Sequence, residues 1–141
     1  MQTKFTQFSF CVHFGFLVSA PMGTWDVGPF DNHAACELLA ELRDGTFDFE
    51  HFKRSCADSP LDVDEAEMVI ALGALVNTPQ DRLPNGVSAK ELKSICTPQS
   101  RAWLRKKINS TLEPESSPVY ALWETTGELE IWVQSVRASL P

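Results

Sequence analysis

The run Leu61-Asp62-Val63-Asp64-Glu65-Ala66-Glu67-Met68-Val69-Ile70-Ala71-Leu72-Gly73-Ala74-Leu75-Val76 changes character halfway along. Its first seven residues hold four acids; from Met68 to Val76 every residue is apolar or small. Carboxylates are favoured at a helix start because they meet the positive end of the helix dipole. Asp62 and Glu65 also have the spacing of a capping box. A helix that is apolar on every side has to be surrounded by protein, and this one is too short to span a bilayer. The run therefore predicts a buried central helix over Asp62–Val76, with Gly73 leaving room for a close crossing.

Upstream, Asn32 to Asp44 places Ala35, Leu38, Leu39 and Leu42 at i, i+3, i+4 and i+7, one apolar face, and Gly45 can end that helix. Phe49, Phe52 and Cys56 line a shorter helix over about Asp48–Ala57, and Asp58-Ser59-Pro60 reads as a turn. Downstream, turn residues fill Asn77–Gly86. Ser88-Ala89-Lys90-Glu91 has capping-box spacing and opens an expected short helix to Cys96. Thr97-Pro98 and Ser117-Pro118 each read as a cap followed by proline at the first helical position. The helix after Pro98 runs to about Leu112 with Leu104, Ile108 and Leu112 inside. The last helix, Glu128–Ser139, carries Leu129, Trp132, Val133 and Val136 on one face. Trp123 and Trp132 are read as core. No strand pattern competes with the helical one. The fold class is all-α: a compact bundle of five to seven short helices with an N-terminal anchored loop.

That loop is Met22-Gly23-Thr24-Trp25-Asp26-Val27-Gly28-Pro29-Phe30-Asp31-Asn32. Pro29 fixes its own φ and pushes Gly28 toward an extended or turn conformation. Trp25 and Phe30 are anchors, each gaining roughly 2–3 kcal/mol on burial. Asp31 or Asn32 can cap the next helix, and Asp26 can accept a hydrogen bond within the loop. Residues 1–21 form a prefix before the single helical domain of residues 22–141. One lysine, an apolar stretch and Val18-Ser19-Ala20 resemble a secretory signal peptide. A translation start at Met22 and a structural role for the prefix are the other readings. The expected location is cytoplasmic, or secreted if the prefix is a signal.

Charge narrows the function. From Met22 to Leu83 there are thirteen acids and four bases, a net −9; from Pro84 to Pro141 six acids and seven bases give +1. An acidic half repels the phosphate backbone, so nucleic acid is not an expected partner. Arg101, Arg105, Lys106 and Lys107 form the basic cluster, read as a solvated face or an internal partner for the acidic half. Cys11, Cys36, Cys56 and Cys96 contain no CxxC pair, so no zinc knuckle is expected. They read as buried, reduced core residues, with a Cys36–Cys56 bridge as the alternative. No cofactor, metal or membrane contact is expected, and no nucleophile stands in pattern with a base.

The sequence MGTWDVGPFDN, followed by an alanine-rich helix start, resembles the opening of the DUF4259 family, small bacterial proteins carrying a domain of unknown function. The likeness extends through Asp62-Val63-Asp64-Glu65-Ala66 and through Leu122-Trp123-Glu124 to Trp132. Members carry an acid where this chain has His33, so the resemblance implies no charge-based role there. It implies no activity either.

Three functional classes follow. The leading one is a non-catalytic protein-binding module that neutralises a basic partner in the manner of an immunity protein. Its candidate binding residues are Asp26, Asp31, Asn32, Asp62, Asp64, Glu65 and Glu67, with Trp25, Gly28, Pro29, Phe30, Trp123 and Trp132 as structural anchors. The second is a small enzyme or metal-binding protein that brings Asp26, Asp31 and His33 together with the Asp62–Glu67 acids. The third is a structural or self-associating module using Trp103 and the basic cluster as an interface.

Overall fold

The structure, a computed structural model, describes residues 26–57 and 60–141. Residues 1–25, and with them the prefix, Cys11 and the Trp25 anchor, lie outside the described residues, as do Asp58 and Ser59 of the expected turn. Among the described residues there are six α-helices: α1 (His33–Asp44), α2 (Phe49–Ser55), α3 (Val63–Asn77), α4 (Pro98–Thr111), α5 (Pro118–Glu124) and α6 (Leu129–Ala138), with a 3-10 turn at Gln80–Arg82 between α3 and α4.

Side-chain caps start five of the six helices among the described residues, α6 being the exception. The Asn32 side chain accepts from the Ala35 amide at 2.7 Å, Asp48 caps α2 through the His51 amide at 3.0 Å, and Thr97 and Ser117 cap α4 and α5. Pro98 and Pro118 follow those last two caps, where a missing N–H costs nothing because the first helical amides have no intrahelical partner. α1 ends at Gly45 in the left-handed region, φ 73°, whose amide returns to the carbonyls of Glu41 and Leu42.

α3 is the centre. Nine of its fifteen residues are buried, and it packs against α1, α4 and α5. At Gly73 α3 is approached closely: a Cβ there would run into Ile108 Cδ1 of α4 and the carbonyl of Ser139 just after α6. Asn77 Nδ2 donates to the Leu140 carbonyl at 2.6 Å and fastens the same segment. Among the described residues, no helix is long and apolar enough to cross a membrane.

One expected helix is absent. Ser88–Cys96 forms successive turns: the amides of Glu91, Leu92, Lys93 and Ile95 each return three residues, to Ser88, Ala89, Lys90 and Leu92. Leu92 and Ile95, the buried residues of this stretch besides the preceding Val87, are three apart, which suits a three-residue repeat. These two apolar anchors hold the segment in the tighter form.

The basic side chains of α4 are largely tied to backbone. Arg101 Nε donates to the Cys96 carbonyl at 3.0 Å, Arg105 Nε to that of Pro141 at 3.2 Å, and Lys107 Nζ to that of Cys56 at 2.9 Å. Lys107 also lies 5.8 Å from the centre of the Trp103 ring, which meets Phe49 and Phe52 of α2 edge-on. Thus Lys107 does tie α4 to the acidic half, but through a carbonyl oxygen rather than a carboxylate. Between described residues, Lys53 pairs with Glu50 at 3.2 Å within α2, and the His33 imidazole, charged only when protonated, contacts Glu37 at 3.0 Å within α1.

Cys56 and Cys96 carry free thiols, which removes a Cys36–Cys56 bridge. Cys36 is disulfide-bonded, against the expectation that it would be reduced. Burial, reinforced by the Glu65 carboxylate, pushes the Cys56 thiol up to about 11.

Candidate functional site

The loop of residues 26–32 is held by its own polar groups. Asp26 Oδ1 accepts from the Val27 amide at 2.8 Å, and Asp31 Oδ2 accepts from the Gly28 amide at 3.1 Å. The Asp31 amide donates to the Gly28 carbonyl at 3.1 Å, and the Asp26 amide to the Asp31 carbonyl at 3.3 Å. Asp31 is buried beneath the turn, Asn32 is buried as the α1 cap, and the Asp26 side chain stays exposed. Val27 and Phe30 pack half-buried against the core. The loop is thereby closed and pinned down before α1 begins.

Facing it are Glu67 and Ile70 of α3, one helical turn apart, and a pair of tryptophans. Trp123 of α5 and Trp132 of α6 stack with ring centres 6.1 Å apart and planes 14° apart, and Tyr120 meets Trp132 edge-on at 6.3 Å. Both indoles are 4% exposed. The turn Thr125-Thr126-Gly127 lets α6 fold back on α5: the Thr126 hydroxyl donates to the Trp123 carbonyl, and Gly127 takes φ 82°.

Between loop and tryptophans lies a small pocket whose lining includes Asp26, Gly28, Pro29, Asn32, Glu67, Trp123 and Trp132. It has room for about one water molecule. Among the described residues, its lining brings two carboxylate side chains and one amide side chain beside two aromatic residues, with no histidine, serine, lysine or cysteine.

The residues singled out from the sequence thus divide. Asp26, Asn32 and Glu67 come together at the pocket. Asp31 is engaged in the loop. Asp62 and Glu65 are joined in the capping box of α3, and Asp64 is exposed on that helix's first turn. His33 is exposed and paired with Glu37 outside the pocket. His51 lies exposed on α2, with Asp48 bound to its backbone amide and not to its ring. Among the described residues, no group of three or more His, Cys, Asp or Glu side chains is arranged to hold a metal ion.

In the sequence, Glu67 stands with Asp62, Asp64 and Glu65 as one acidic helix start. The structure buries it to 4% exposure. The signal was its helical position: Glu67 stands three residues before Ile70 and four before Ala71, on a helix whose sides are all covered.

These features define a small all-α protein in which a closed loop docks onto a central helix beside a tryptophan pair. The chain belongs to the DUF4259 family, described as a domain of unknown function, whose match covers residues 23–135. No curated protein and no solved structure matches the chain.

Proposed function

We propose that this protein is a non-catalytic binding module that engages a basic protein partner through its acidic half, as an immunity protein engages a toxin. The observation that supports this reading is the solvent face of α1. Glu37, Glu41 and Asp44 stand at i, i+4 and i+7, and all three are exposed. Arg101, Arg105 and Lys107 of α4 donate to carbonyl oxygens rather than to these carboxylates. These exposed carboxylates present negative charge to solvent, where it can steer a basic partner and fix its orientation.

The test is affinity capture from native cells with the wild-type protein and with the triple variant Glu37→Lys, Glu41→Lys, Asp44→Lys, each at low and at moderate salt. A basic protein retained by the wild type, and lost both in the variant and with added salt, is the expected result. No recovery above background at low salt, or equal recovery by both forms, would end the proposal.

One observation favours a second reading, in which Asp26 and Glu67 serve as a small ligand or metal site: they share a pocket although they lie on different elements. On that reading Mg²⁺, Ca²⁺ or Zn²⁺ raises the unfolding temperature, and Asp26→Asn abolishes the rise. A midpoint indifferent to all three ions would count against it.

A further inference from the structure

We draw no further inference here: the strongest candidate, the small pocket between the loop of residues 26–32, Glu67 of α3 and the stacked Trp123–Trp132 pair, belongs to the site already described and has room for only about one water molecule.

Discussion

Asp62 and Glu65 bind each other's backbone: the Glu65 amide donates to Asp62 Oδ1 at 2.7 Å, and the Asp62 amide donates to Glu65 Oε1 at 3.1 Å. This reciprocal pair opens the helix on which the core is built. Asp62→Ala should cost about 1 kcal/mol of unfolding free energy in a urea titration, whereas Asp62→Asn, which keeps the acceptor oxygen, should cost only a few tenths. A loss as large for Asn as for Ala would mean that the charge, and not the cap, matters at this position.

Gly73→Ala provides the test of packing around α3. Alanine favours a helix over glycine by roughly 0.5–1 kcal/mol, so an open site would be stabilised. Here the added carbon meets the backbone carbonyl of Ser139 and the Ile108 side chain. A side chain can move aside; a carbonyl of a fastened segment cannot without dragging its neighbours. The variant should therefore be destabilised by about 1–3 kcal/mol, read as a lower urea midpoint at unchanged slope.

Cys56 should be the slower of the two free thiols. It is fully buried, and its pKa is raised to about 11, first by burial and then by the Glu65 carboxylate. At pH 8 iodoacetamide should label half-buried Cys96 first and reach Cys56 only when the chain opens. The linkage has a definite sign. An unfolded thiol loses its proton from about pH 9, while the folded one holds it to about 11. Over that window the folded state binds more protons, so stability falls as pH rises. Cys56→Ala should remove that component of the slope.

Salt should stabilise the fold. The exposed acids of the first half repel one another, and the ion pairs between described residues are local to single helices. Raising KCl from 10 to 300 mM screens the repulsion. The thermal midpoint should rise by a few degrees, on the order of 1 kcal/mol for a domain of this size. A midpoint that falls with KCl would show that attractive surface pairs dominate.

Much of the architecture could be read residue by residue because its determinants are local. Asn32, Asp62, Thr97 and Ser117 announce helix starts by side-chain chemistry that acts within three residues, and Gly45 ends α1 in the same way. What escaped depended on distant partners. Residues 88–96 carry a helix-start signature, but Leu92 and Ile95 settle them into turns. The basic residues of α4 read as a solvated face or an internal partner for the acidic half, and nothing in their spacing points to carbonyls such as that of Cys56, 51 positions away. Asp26 and Glu67 meet only because the loop folds back over α3, beside rings contributed by α5 and α6.

The fastening of residues 139–141 over α3 has a consequence for the order of assembly. Asn77 and Leu140 are 63 positions apart, so a ribosome that has just made α3 has produced an apolar helix with no cover on the side of Gly73. Closing that side requires α4, α5 and α6 to have emerged. Such long-range closure should delay the final packing of α3 until the C-terminal segment has been made. Until then the nascent chain exposes its most aggregation-prone surface, and chaperone contact during synthesis should concentrate on Met68–Val76.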